Sequence, residues 1–216
     1  MKISVLCSNP RHPVVASLHD WARTMTADGH SVSIMHEKGA LAGGDFLFLV
    51  SCSEMMKAAD LAKFRHALVL HASDLPQGRG WSPHVWTVVE GGNEITVSLL
   101  EASIPVDSGP VWARKRFELE GHELLPEINR KLFAAELGLM SDAVRTAPGV
   151  KPAAQSGDPG AYRCRRTPED SRLDPARSIA EQFDLLRVVD NELYPAFFDY
   201  RGKRYLLKIE KAEHGQ

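Results

Sequence analysis

The chain contains two unbroken apolar runs of strand length, Asp45-Phe-Leu-Phe-Leu-Val50 and Ala67-Leu-Val-Leu70. A strand with one face in water alternates apolar and polar side chains, so a continuous run fits a sheet covered on both faces. Strand-like and helix-like segments alternate around these runs. Lys2 to Leu6 reads as a first strand. Pro13 opens a helix whose apolar positions Val14, Leu18, Trp21, Ala22 and Met25 recur at helical spacing, and Gly29 closes it. Ser31 to Met35 alternates as a strand, and a short helix over about Glu54 to Phe64 leads into the strand ending at His71. This order predicts an α/β fold: a doubly wound, mostly parallel sheet with its ligand cleft beyond the carboxyl ends of the strands.

Further along, Trp81 to Glu90 reads as a short helix, stopped by Gly91-Gly92. Strands follow around Ile95 to Leu100 and Val111 to Phe117. A long helix from about Glu123 to Arg145 then carries Leu125, Ile128, Leu132, Ala135, Leu139 and Ala143 on one stripe. The Pro- and Gly-rich stretch 148–161 reads as a linker between a core over 1–147 and a C-terminal block over 162–216. In that block Asp174-Pro175 reads as an N-cap with a first-turn Pro, predicting a helix packed through Ile179, Phe183 and Leu186. Tyr194 to Glu210 reads as a hairpin turning at Tyr200-Arg-Gly-Lys203, with an edge on which a second copy could pair to form a homodimer. Arg187 and Lys203 to Lys208 read as a solvated face.

Bulk properties narrow the function. A net charge of -2 argues against a strongly basic nucleic-acid binder. Cys7, Cys52 and Cys164 are far apart and odd in number, as expected for reduced thiols in a cytoplasmic protein, with no spacing for a zinc site. The first apolar segment is too short for a signal peptide, and no run approaches membrane-spanning length. Cys7-Ser-Asn-Pro10 after the first strand is no Gly-x-Gly-x-x-Gly turn, which sets dinucleotide redox chemistry aside.

The residues that carry chemistry are His71 and Asp107. His71 directly follows an apolar strand and opens the loop Ala72-Ser-Asp-Leu-Pro-Gln-Gly-Arg-Gly80. Asp107 lies in the turn Val106-Asp-Ser-Gly109 after the next β-rich run. A lone His is most often structural, and Asp-Ser-Gly is ordinary turn chemistry. Brought together at strand ends, however, an imidazole and a carboxylate can move a proton and stabilise a developing oxyanion, the needs of acyl transfer.

These stretches resemble the family of formyltransferases that use N10-formyltetrahydrofolate, which includes methionyl-tRNA formyltransferase and the nucleotide-sugar N-formyltransferases. The pattern Asn-x-His-x-Ser-x-Leu-Pro-x-x-Arg-Gly followed by Asp-x-Gly is met by His71, Ser73, Leu75, Pro76, Arg79, Gly80, Asp107 and Gly109. Val69 stands where the family carries its Asn. The resemblance implies the formyltransferase fold, with a short C-terminal helix and hairpin as an appendage. It also implies His71 and Asp107 as the catalytic pair and N10-formyltetrahydrofolate as co-substrate. Ser73, Asp74, Leu75 and Pro76 would form the folate loop through backbone groups, with Trp81 and the segment Ser103, Ile104, Pro105, Val106 lining the same pocket. Simple loop packing for Leu75 and Pro76, and core packing for Trp81, stand as alternatives.

Losing the family Asn removes an oxyanion donor, worth roughly 10²–10³ in rate. Ser51, Ser53 or Ser73 could stand in, or a backbone N–H, or the protein is a poor enzyme or a silent binding module. Arg165 and Arg166, beside Tyr162, offer guanidinium forks that suit diphosphate oxygens of an activated sugar. The alternative is that they pair with Glu169, Asp170 and Asp174 to fix the C-terminal block. Arg166-Thr-Pro-Glu-Asp170 and Tyr194-Pro-Ala-Phe-Phe198 resemble blocks of the sugar enzymes, which implies a nucleotide-linked amino sugar as acceptor. After Pro195 the chain has room for one hairpin and not a tRNA-holding barrel, so methionyl-tRNA is the lesser expectation, beside a peptide-synthetase-bound amino acid.

Overall fold

The computed structural model describes residues 1–212. Its first half runs β1 (Lys2–Leu6), α1 (Val14–Ala27), β2 (Ser31–Met35), β3 (Gly44–Leu49), α2 (Ala58–Leu61) and β4 (Phe64–His71). Next come α3 (Pro83–Val89), β5 (Glu94–Glu101), β6 (Val111–Glu118) and α4 (Leu125–Thr146). These strands form one sheet in the order β2-β1-β3-β4-β5-β6. β1 to β4 pair in parallel, whereas β5 is inserted antiparallel between β4 and β6. The α/β fold with a mostly parallel sheet is therefore present.

β3 explains why the sheet is covered on both faces. Phe46 and Phe48 point one way, their rings stacked with centroids 5.5 Å apart, into a cluster with α1 and α4. Leu47 and Leu49 point the other way and pack with Leu6, Leu41 and Phe64. Each such side chain contributes about 1.5–3 kcal/mol by leaving water. α1 buries Val14, Leu18, Trp21 and Met25, the expected stripe, and Trp21 Nε1 donates to Ser141 Oγ at 2.9 Å to tie α1 to α4. α4 likewise buries Ile128, Leu132, Ala135, Leu139 and Ala143.

The C-terminal block departs from expectation at two points. In place of a helix starting at Asp174 there are turns, a short 3-10 segment over Ala180–Gln182 and a single-turn α5 (Phe183–Leu186). The buried Gln182 side chain is the reason. It accepts from Asp174 N and donates to the carbonyls of Asp174, Arg177 and Ser178, supplying the partners that a helix would have supplied. Ile179, expected in the packed face, is exposed. Arg187, expected on a solvated face, is buried: its Nε bonds Asp184 and its Nη2 bonds Asn93, both at 2.7 Å, fastening the block to the core. The closing hairpin forms as expected from β7 (Ala196–Tyr200) and β8 (Lys203–Leu207). Among the described residues no helix is long and apolar enough to cross a membrane.

α4 also buries Glu136, whose Oε2 has no hydrogen-bond partner among the described residues. Burial raises its pKa from 4.5 to about 8. The folded state therefore holds a proton that the unfolded chain releases above about pH 4.5. Stability falls as pH climbs from there and levels off above about 8. Glu136→Gln should abolish this component. Its melting temperature relative to the parent should rise by about 5 °C or more between pH 5 and pH 9, given roughly 2–4 °C per kcal/mol at this size. Parallel pH profiles for the two proteins would show the effect directly.

Candidate active site

His71 ends β4 and pairs with Ser98 of β5. Its side chain shares a sheet face with Val69, which packs against Leu75, Leu100 and Val111. Because β5 runs antiparallel, its carboxyl end lies level with Leu68, not with His71. The β5–β6 connection turns back from there and carries Asp107 to the imidazole. His71 Nδ1 lies 3.6 Å from Asp107 Oδ1, and both residues are 7% exposed. His71 Nε2 is 3.0 Å from the Gly78 carbonyl, an acceptor only, so this nitrogen carries the proton.

Asp107 is held in the left-handed backbone region, φ +60°, which few non-glycine residues adopt, Asp among the more tolerant. Its Oδ2 accepts from Gly80 N at 3.3 Å, and Gln155 Nε2 donates to the carbonyls of Asp107 and Gly109 at 2.9 and 2.8 Å. Gly109 is obligatory here, since a Cβ would lie 1.9 Å from the Glu101 carbonyl. Asp107 thus reaches His71 through a turn clamped on both sides.

The loop after His71 is fixed with equal care. Ser98 Oγ donates to the Ser73 carbonyl at 2.7 Å and Ser73 Oγ donates to the Gln77 carbonyl at 2.8 Å. Asp74 meets Arg114 Nε at 2.7 Å and Arg116 Nη2 at 3.2 Å, while Arg114 Nη2 also donates to the Leu75 carbonyl at 2.7 Å. Sequence reasoning missed these arginines, although positions 114 and 116 share a face of β6 by simple alternation. Beyond Gly78, Arg163 N donates to the Arg79 carbonyl at 2.7 Å and Trp81 N donates to the Arg163 carbonyl at 2.9 Å. A Cβ on Gly80, whose φ is +111°, would come within 2.2 Å of the Arg163 carbonyl.

Other expected site residues flank this centre. Ile104 and Val106 are exposed beside the Asp107 turn, and Ser103 Oγ donates to the Pro105 carbonyl at 3.0 Å. The Arg165 guanidinium lies 5.1 Å over the Trp81 ring, and Tyr162 is exposed nearby in sequence. Arg166 points elsewhere: it donates to the carbonyls of Asp170 at 2.8 Å and Val188 at 3.4 Å inside the C-terminal block. The alternative pairing of Arg165 and Arg166 with acidic side chains gives way to Arg163 with Glu90 and Arg172 with Glu169. Of the serines considered as oxyanion donors, Ser73 is engaged as above and Ser53 Oγ pairs with Ser8 Oγ at 3.0 Å. His84 of α3 encloses an unpartnered Nδ1, and burial, with His12 and His71 adding to it, lowers its pKa to about 4, so it stays a neutral ring. Two clefts, of 690 and 450 Å³, lie toward the C-terminal block and are lined by neither His71 nor Asp107.

The sheet order β2-β1-β3-β4-β5-β6 belongs to the formyltransferase fold, as solved structures show. The comparisons agree. No family model matches the chain. It is 28% identical over 158 residues to methionyl-tRNA formyltransferase of Rickettsia felis, covering 73% of this chain and 51% of that protein. The chain therefore spans about half the length of the curated relatives it matches. Methionyl-tRNA formyltransferase from Clostridium thermocellum superposes with a TM-score of 0.82 at 20% identity, covering 100% of this chain and 95% of that one. HypX from Aquifex aeolicus, solved with tetrahydrofolic acid, gives 0.80 at 21% identity, with 97% and 37% covered. A sugar N-formyltransferase from a Shewanella species gives 0.73 at 12% identity, with 99% of each chain covered. The chain is similar in sequence to methionyl-tRNA formyltransferases over about half of their length and shares the formyltransferase fold.

Gly80→Ala should break the contact with residue 163 and release the Asp107 carboxylate from its backbone donor. The expected cost is about 1–3 kcal/mol in urea denaturation. Amide exchange should accelerate at residues 78–81 and 163 while the β1–β4 amides stay protected.

Proposed function

We propose that this chain transfers a formyl group from N10-formyltetrahydrofolate to the amine of a nucleotide-linked amino sugar of the kind used in bacterial surface glycans. The observation that carries the reading is the buried His71–Asp107 pair under a loop pinned by Ser98, Arg114 and Arg163. The exposed apolar side chains of Ile104 and Val106 beside the Asp107 turn suit a flat pterin ring. The co-substrate would supply an activated one-carbon unit there.

In this reading the proton on His71 Nε2, now directed at the Gly78 carbonyl, serves the developing oxyanion once the formyl oxygen displaces that carbonyl. Asp107 orients the imidazole from the Nδ1 side and takes a proton from the substrate ammonium, freeing the amine to attack the formyl carbon. As the bond to N10 breaks, the departing folate nitrogen takes up the proton that the new amide nitrogen gives up, passed by the His71–Asp107 pair. The closed loop excludes water that would otherwise hydrolyse the donor. Arg165 on Trp81, beside Tyr162, forms a rim able to meet the phosphates and base of the acceptor. The outer edge of β8, with Tyr205 and Leu206 exposed, is where a second copy would pair.

A second reading, formylation of methionyl-tRNA, draws on the sequence match to that enzyme. The net charge of -2 weighs against it, because phosphate-rich partners call for a basic surface.

Tetrahydrofolate release from N10-formyltetrahydrofolate, followed with nucleotide amino sugars or with methionyl-tRNA, separates the two. Turnover with the sugars and not the tRNA is expected. His71→Ala and Asp107→Asn should each lower it by roughly 10²–10⁴. Unchanged release in His71→Ala would overturn the assignment, and turnover confined to methionyl-tRNA would favour the second reading.

A further inference from the structure

The stretch over 148–161, which reads as a passive linker, is tied into the site. Ala153 exchanges backbone hydrogen bonds with Val111 at 2.8 and 2.9 Å, adding one rung to the free edge of β6. Continuing antiparallel from that rung, residue 155 falls opposite residue 109. At this point the side chain takes over from the backbone. Gln155 Nε2 has two N–H groups and places one on the Gly109 carbonyl and one on the Asp107 carbonyl. Both donors are thereby satisfied, and the amide bridges the two ends of the turn that presents the carboxylate. The same segment continues to Arg163, whose N–H donates to the Arg79 carbonyl and whose carbonyl accepts from Trp81 N. These bonds bracket Gly80, whose own N–H donates to Asp107 Oδ2.

We propose that Gln155 is a positioning residue for the formyl-transfer centre, holding Asp107 in its left-handed state so that Oδ1 faces His71. Unclamped, residue 107 relaxes toward φ below zero, and the carboxylate swings away from the imidazole. The hydrogen bonds of the Gln155 amide go to the backbone carbonyls of the turn, so its influence passes through that backbone. The inference rests on the formyl-transfer reading for its kinetic consequence, but not for the geometry of the His–Asp pair.

The test uses Gln155→Met, which keeps the length of the side chain and removes both donors, beside Gln155→Glu. With formyl-folate and the accepted amine, Gln155→Met should lower kcat roughly 10- to 100-fold, since an ångström of misplacement costs that much. KM for both substrates should stay within about twofold of the parent, the pattern of lost transition-state stabilisation. Gln155→Glu should regain turnover as the pH is lowered and its carboxyl acquires a proton to donate, whereas Gln155→Met should not. Independently of activity, the ring resonances of His71, followed by NMR across pH, should titrate in Gln155→Met as they do in Asp107→Asn. A Gln155→Met protein with parental kcat and a parental His71 titration overturns the proposal. If no amine is formylated by the parent, the formyl-transfer reading fails and the titration alone decides the role of Gln155. A lowered melting temperature with an unchanged titration also overturns it, leaving Gln155 a purely structural strap.

Discussion

The site depends on returning Asp107 to His71 against the run of the sheet. Five of the six strands could be laid down by repeated parallel crossovers, and such a sheet would present its loops at one end. β5 breaks the series, so the next connection starts level with Leu68 and has to climb back along the sheet face. It manages this with a carboxylate-bearing residue in a left-handed conformation. Such strain, about 1–3 kcal/mol, persists only where neighbours over-determine it. Gly109 against Glu101 and Gln155 across the turn provide that determination. The His–Asp distance, the Gly80 contact and the position of the loop over Nε2 all follow from this one return.

Much of the sheet was legible in the sequence because its signals are periodic. Phe46 to Leu49 read as a doubly covered strand because adjacent residues face opposite clusters, and Val14, Leu18, Trp21 and Met25 read as a helix face for the equivalent reason at helical spacing. The direction of β5 was not legible, since alternation is the same whichever way a strand runs. Asp174 and Ile179 promised a helix that the Gln182 side chain replaces, a competition between side chain and backbone that composition does not expose. Arg187 carried every mark of a surface residue, and only Asn93 and Asp184 explain its burial.

At the site, His71 and Asp107 were legible as chemistry, because few residue types can shuttle a proton and one ends an apolar strand while the other stands in a turn after the next. Their supports were not. Arg114, Gln155 and Arg163 act on the loop and the turn from positions distant in sequence, and a polar residue in a Pro- and Gly-rich stretch carries no local sign of its partner. Val69 was legible as a departure from the family pattern, and its apolar packing against Leu75 and Leu100 shows that this patch of floor offers no amide.

The straps at Ala153, Gln155 and Arg163 belong to a segment that adds little to the apolar interior, which is built from strands β1 to β5 and helices α1 and α4. The geometry of the His–Asp pair and global cohesion are therefore carried by different parts of the chain. A segment held by a handful of hydrogen bonds opens at a small fraction of the free energy needed to unfold the whole. The hydrogen bonds around the His–Asp pair can thus open and re-form while the sheet beneath remains intact.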